Sequence, residues 1–201
     1  MLKTPILAIF RGITEEQVEA LATCCINANI DTLEVTMNTD NVENIIKKFI
    51  DVSNGKLTVG AGTMLSLEDY QKAISAGAEF IVTPVVNIDV IKQCVRNNIP
   101  VFPGALTPTE VWQAWEAGAT MVKVFPAGAF GPKYLKNLHG PLDKIKLMAV
   151  EGVNASTLQD YFNNGASAVA IGGSIFSRDR LQNNQYELIE KELKELVDLL
   201  P

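Results

Sequence analysis

Apolar residues in this chain come in short unbroken runs, each followed by a longer stretch where apolar and polar positions recur every three or four residues. Unbroken runs of β-branched and aliphatic residues mark strands buried on both faces, and the three-to-four periodicity marks helices with one face on a core. The runs fall near residues 5–10, 31–36, 56–60, 79–84, 100–103, 120–126, 145–149 and 167–172. Helices are predicted for nearly every gap, so the units repeat at about 20 to 27 residues.

The junctions repeat as well. Ala76-Gly77-Ala78, Ala117-Gly118-Ala119 and Asn164-Gly165-Ala166 each place a glycine where a helix ends in a left-handed residue, and the next strand starts at once. Thr107-Pro108-Thr109-Glu110 reads as a capping box with proline at the first helical position. Ser66-Leu67-Glu68-Asp69 has the same form, with Asp where Glu or Gln is usual. Eight apolar strands alternating with helices predict a parallel sheet covered on both faces. That number favours a closed, compact (β/α)8 barrel over a flavodoxin-like open sheet, which uses about five strands. Residues 1–201 are expected to form one domain.

Composition narrows the classes of partner. A formal charge of −6 argues against a nucleic-acid surface. No run reaches the roughly 18 apolar residues of a membrane helix, and the first residues lack the pattern of a secretion signal. Cys24, Cys25 and Cys94 are odd in number, follow no disulfide or metal spacing and fall in predicted helices, as packed thiols do. His139 is the single histidine, which excludes a histidine-rich metal site. A soluble, cytoplasmic protein is expected. Trp112 and Trp115, three apart on the fifth predicted helix, fit packing against the barrel or another subunit.

One residue breaks the apolar pattern. Lys123 lies inside Thr120-Met121-Val122-Lys123-Val124-Phe125-Pro126, and lysine is almost never fully buried without a partner. Burial lowers an amine's pKa, and a neutral amine is the nucleophile that forms a Schiff base with a carbonyl. The plainer alternatives are a lysine that snorkels to solvent or pairs with a carboxylate. In (β/α)8 barrels the reactive groups sit at the C-terminal strand ends. Along the second predicted strand Glu34 shares a face with Thr32 and Thr36, and Lys123 shares one with Met121 and Phe125. If both faces point inward, an amine and a general acid/base converge, with Arg11 and Thr63 at neighbouring strand ends. A packing-only Glu34–Lys123 ion pair is the alternative. Gly172-Gly173-Ser174 after the last strand suits a phosphate held by backbone N–H groups, although Gly-Gly also marks ordinary turns. Gly60-Ala61-Gly62-Thr63 lacks the spacing of a dinucleotide fingerprint.

In order and spacing, Leu33-Glu34-Val35-Thr36, Gly60-Ala61-Gly62-Thr63, Thr83-Pro84, Phe102-Pro103-Gly104, Lys123-Val124-Phe125-Pro126 and Gly172-Gly173-Ser174 resemble one family from Ile6 to about Phe176. It is that of the class I aldolases for 2-keto-3-deoxy-6-phosphogluconate, its galactonate isomer and 2-keto-4-hydroxyglutarate. The resemblance implies that Lys123 is the Schiff-base lysine and Glu34 the proton shuttle. It also implies that Thr63 holds the pyruvate carboxylate and that Pro84 and Phe125 wall the pocket. Val150, Gly152, Gly172, Gly173 and Ser174 would line the rest of the substrate site. It further implies a homotrimer acting on a small keto acid without metal or other cofactor. Where many phosphogluconate enzymes carry an arginine after strand two, this chain has Asn38, and Arg11 can offer the same fork from strand one. Asn38, Val150 and Arg11-Gly12-Ile13 are similar to the phosphogalactonate branch. Glu151 replaces a glycine of both branches, and its carboxylate is expected either to face the Gly172–Ser174 loop or to turn to solvent.

The expected reaction is cleavage of a phosphorylated sugar acid to pyruvate and glyceraldehyde 3-phosphate. The rivals are cleavage of unphosphorylated 2-keto-4-hydroxyglutarate to pyruvate and glyoxylate, a phosphosugar isomerase or epimerase, and a non-catalytic phosphometabolite-binding barrel.

Overall fold

The computed structural model describes residues 2–201. Eight strands form a closed barrel in chain order: β1 (Ile6–Phe10), β2 (Thr32–Thr36), β3 (Thr58–Gly62), β4 (Ile81–Thr83), β5 (Val101–Ala105), β6 (Val122–Val124), β7 (Leu147–Val150) and β8 (Ala166–Ile171). Every neighbouring pair is parallel, and β8 returns to β1 through Leu7 opposite Ala170. The helices that follow β1 to β7 are α1 (Val18–Asn27), α2 (Val42–Ser53), α3 (Leu67–Ser75), α4 (Ile88–Arg96), α5 (Pro108–Glu116), α6 (Lys133–His139) and α7 (Leu158–Asn163). Two helices follow β8, α8 (Arg178–Gln182) and α9 (Tyr186–Asp198). Arg180 of α8 makes two hydrogen bonds of 2.7 Å to Glu192 of α9, and Asn27 at the end of α1 donates to Glu190 at 3.0 Å.

The helix starts form as their residues dictate. Thr107 Oγ1 accepts from the Glu110 N–H at 3.3 Å, and Glu110 Oε2 accepts from the Thr107 N–H at 2.8 Å. Asp69 completes the same reciprocal cap at Ser66 despite its shorter side chain. The glycines of the three repeated junctions have φ of 96° to 101°, left-handed as expected. Cys24, Cys25 and Cys94 are buried and unpaired in α1 and α4, and burial pushes the Cys24 and Cys94 thiols up to about 11 and about 12. Trp115 packs against the core, whereas Trp112 is half exposed.

Strand alternation divides the core into two shells. Ile6, Ala8, Phe10, Leu33, Val35, Val59 and Ala61 turn outward and pack under the helices. Leu7, Phe80, Val82, Phe102, Met121, Met148, Val150, Ala168 and Ala170 form a second cluster, inside the barrel. Eight strands leave an interior just wide enough for side chains, so glycine is needed where a large neighbour crosses it. A Cβ on Gly60 would overlap the Phe80 ring, and Phe80 in turn lies 5.5 Å from Phe102. β3 starts and ends about two residues later than expected, at Thr58 and Gly62. Gly60-Ala61-Gly62 thus forms the C-terminal part of the strand.

Gly60→Ala should destabilise the protein by about 1–3 kcal/mol, the usual cost of overpacking a filled core. The midpoint of urea unfolding, at unchanged slope, measures it.

Candidate active site

Alternation carries the inner shell up to the mouth. Glu34, opposite Gly60 in the β2–β3 register, is 1% exposed; Lys123, opposite Gly104 and Met148, is 7% exposed. Lys123 makes no ion pair or hydrogen bond among the described residues, and its Nζ stands 5.0 Å from the Phe125 ring centroid. Glu34 Oε2 is buried with no hydrogen-bond partner. Burial raises the Glu34 pKa against the pull of Lys123 and Arg11, and burial lowers that of Lys123, opposed by Glu34 and assisted by Arg11. Both groups thus move toward their neutral forms, a buried acid beside a buried base.

Room for the carboxylate comes from a missing side chain. A Cβ on Gly62 would lie 2.6 Å from Glu34 Oε1, so glycine at the end of β3 is a condition for Glu34 to point inward. Gly104 plays the same part for β4, since a Cβ there would overlap the Pro84 carbonyl. Neither role was visible in the sequence, because each depends on what the adjacent strand carries.

Arg11 spans three strand ends. Its Nη1 donates to Asn38 Oδ1 at 2.8 Å and its Nη2 to Thr63 Oγ1 at 3.1 Å. Thr63 has φ of 55°, an uncommon and strained conformation for a β-branched residue. Below, Thr39 Oγ1 accepts from the Gly12 N–H at 3.0 Å and lies 3.1 Å from Thr36 Oγ1, which pins the loop carrying Arg11 to β2. Asn38 is therefore an acceptor that aims the guanidinium, a part the residue type alone did not announce.

The remaining expected residues do not all share one wall. Val150 faces the barrel interior, and Pro84 and Phe125 are partly exposed at the mouth. Gly152 packs so closely on Gly128 that a Cβ would lie 2.6 Å from the Gly128 Cα. Gly172 and Gly173 line a cavity of about 800 Å³ together with Ile9, Arg11, Gln17 and Arg178. Ser174 instead lines a separate cleft with Asn154 and Glu192. Glu151 is exposed, with φ of 76°, and its Oε2 accepts from the Gly128 N–H at 3.0 Å. The carboxylate is turned out of the barrel but tied down, joining the loop after β7 to the turn after β6.

An interior amine facing a carboxylate at the C-terminal mouth of a (β/α)8 barrel places the chain among the carbonyl-processing barrels. Comparison with known proteins narrows this: the family model for KDPG and KHG aldolase matches residues 1–192, and the chain belongs to that family of carbon–carbon lyases. It is 35% identical over 175 residues to the 2-dehydro-3-deoxy-6-phosphogalactonate aldolase of Escherichia coli (strain K12), covering 87% of this chain and 85% of that one. It is 30% identical over 198 residues to the 2-dehydro-3-deoxy-phosphogluconate aldolase of Haemophilus influenzae, covering 98% and 91%. The solved structure described as native KDPGal superposes with a TM-score of 0.92 at 32% identity, covering 98% of this chain and 95% of that one.

Lys123 should titrate well below the roughly 10.4 of a free lysine, as read by NMR of Nζ-labelled protein. In Glu34→Gln its midpoint should fall further, because the carboxylate's charge is what holds the amine's pKa up. An unchanged or higher midpoint would show that the two groups do not interact.

Proposed function

We propose that the protein is a class I aldolase that cleaves 2-keto-3-deoxy-6-phosphogluconate or its galactonate epimer to pyruvate and glyceraldehyde 3-phosphate, with residues 1–201 as one catalytic domain. The observation that carries this reading is the unpaired Lys123 amine buried in the barrel mouth beside an unpartnered carboxyl oxygen of Glu34. Forming the neutral amine from an ordinary lysine at pH 7 would cost about 4–5 kcal/mol; burial removes much of that cost in advance.

Lys123 Nζ adds to the C2 carbonyl, and Glu34 passes protons to and from the carbinolamine oxygen until water leaves. The resulting iminium draws the electron pair of the C3–C4 bond as Glu34 takes the proton of the C4 hydroxyl. The aldehyde departs, and the enamine left on Lys123 is protonated at C3. Water then hydrolyses the iminium and releases pyruvate. Arg11 and Thr63 hold the C1 carboxylate, and Phe125, Pro84 and Val150 flank the carbon chain. Gly152, Gly172, Gly173 and Ser174 belong to the loops on the distal side. The chemistry is supplied entirely by side chains.

A homotrimer fits the surface. Leu65 and Val85 on the loops after β3 and β4, and Leu67 and Ile88 at the starts of α3 and α4, are exposed apolar residues, and Asn87 links the two segments by donating to the Leu65 carbonyl at 3.0 Å. A three-fold ring would cover such a patch by packing it head-to-tail on a different face of the next copy. A cytoplasmic location is in keeping with three unpaired thiols, and no helix is long and apolar enough to cross a membrane among the described residues.

Incubation with pyruvate and borohydride, followed by intact mass and peptide mapping, tests the central step. A reduced pyruvyl adduct on Lys123 is expected, and an isomerase or an inert binding barrel would give none. Lys123→Ala should abolish the adduct while the fold persists. Glu34→Gln should lower turnover by about 10²–10⁴, and near-normal turnover would reduce Glu34 to a packing partner.

Arg11→Ala should raise the pyruvate concentration needed for half-maximal trapping. Arg11→Lys should recover only part of the affinity, because an ammonium lacks the planar fork. Unchanged trapping in both variants would place the carboxylate elsewhere.

A further inference from the structure

The cavity between the segments that follow β1 and β8 has a charge pattern that the aldol chemistry does not use. Its walls carry two arginines, Arg11 and Arg178, and no Asp or Glu. Arg11 is committed to Asn38 and Thr63, but Arg178 is exposed and makes no hydrogen bond or ion pair among the described side chains. Arg180, two residues on, is locked onto Glu192 at 2.7 Å. One guanidinium in this segment therefore has a structural task, and the other faces a cavity without one.

Gly172 and Gly173 add bare backbone to the wall. A Cβ on Gly173 would meet nothing within 4 Å, so the residue leaves the surface open to a ligand without being needed for packing. Asp179, the residue after Arg178, does not line the cavity and accepts from the Asn183 side chain at 3.1 Å; Glu151 does not line it either, and its carboxylate is held by the Gly128 N–H. At about 800 Å³ the cavity is of ordinary size for a metabolite site. A cavity lined by two guanidiniums and no carboxylate suits a double-headed anion, and a phosphorylated sugar acid has a carboxylate at one end and a phosphate at the other.

We propose that Arg178 is the specificity-determining residue for the distal phosphate, which it draws into the cavity between the β1 and β8 segments across Gly172 and Gly173. The assignment rests on the aldolase reading for the identity of the substrate but not for the existence of the anion site. Arg178 takes no part in bond breaking. Its guanidinium offers the planar fork that phosphate oxygens accept from, where an ammonium would act only as a point charge.

The test uses the full chain with Arg178→Ala and Arg178→Lys. For the phosphorylated sugar acid, Arg178→Ala should lower kcat/KM by about 10- to 100-fold, the range of a lost charge-assisted contact, and chiefly through KM. Arg178→Lys should recover part of the loss. Pyruvate trapping on Lys123 should survive in both, which sets this residue apart from Arg11 and confirms that the barrel is folded. Titration with inorganic phosphate by calorimetry needs no turnover, and its affinity should fall at least about tenfold in Arg178→Ala. Phosphate affinity and KM unchanged in Arg178→Ala would overturn the assignment, as would a loss of pyruvate trapping equal to the loss on the sugar acid. Failure of the unsubstituted protein to trap pyruvate would count against the role of Lys123 alone, since phosphate binding would still report on Arg178.

Discussion

The desolvation of one amine and one carboxyl group in the same narrow space governs this molecule. Water would keep both charged; inside the barrel each is pushed toward neutrality, and their mutual attraction only partly reverses the push. Lys123 and Glu34 come from strands on opposite sides of the chain order, so only a closed barrel brings them within reach of each other's field. The fold is thus a condition of the chemistry as well as its support. A pair in this state gives little net stability, and the apolar shells around it must supply what it does not.

Those shells are filled with little margin, and the fit is regulated by absent side chains. Gly60 yields to Phe80, Gly62 to Glu34 and Gly104 to the Pro84 carbonyl. The same rule sets the aromatic floor of the barrel and the position of the carboxylate above it. An alanine in β3 is a small change to the backbone, yet it would act on a residue of another strand that has no sequence proximity to it.

Much of the architecture was legible because it rests on local rules. Eight apolar runs, helix caps at Ser66 and Thr107, and left-handed glycines after the helices each follow from a few adjacent residues. Lys123 and Glu34 were legible for a related reason: a charge inside an apolar run is conspicuous, and alternation fixes which face it takes. What escaped depends on contacts between strands. The glycines of β3 gave no sign of their purpose, because their reason for being there is Phe80 and Glu34. Asn38 looked like a lost arginine and is instead the acceptor for the one that remains. Glu151 was expected either to face the phosphate loop or to lie free in solvent; its exposed carboxylate is tied to the turn after β6, a partner that no spacing rule names. Arg178 drew no notice, since a single arginine at a helix start is ordinary until the cavity beside it is seen.

The hydrogen bonds of Arg11 have a consequence for how tightly a carboxylate can be held. Two of the guanidinium's five N–H donors already serve Asn38 and Thr63. A carboxylate bound by Arg11 would share the fork with these protein acceptors and would meet no dehydrated cation in waiting. The gain on binding is a difference between two good arrangements, while the entropy of ordering a long side chain has been spent during folding. Under the carboxylate-binding role proposed for Arg11, such a site favours ready release over tight capture.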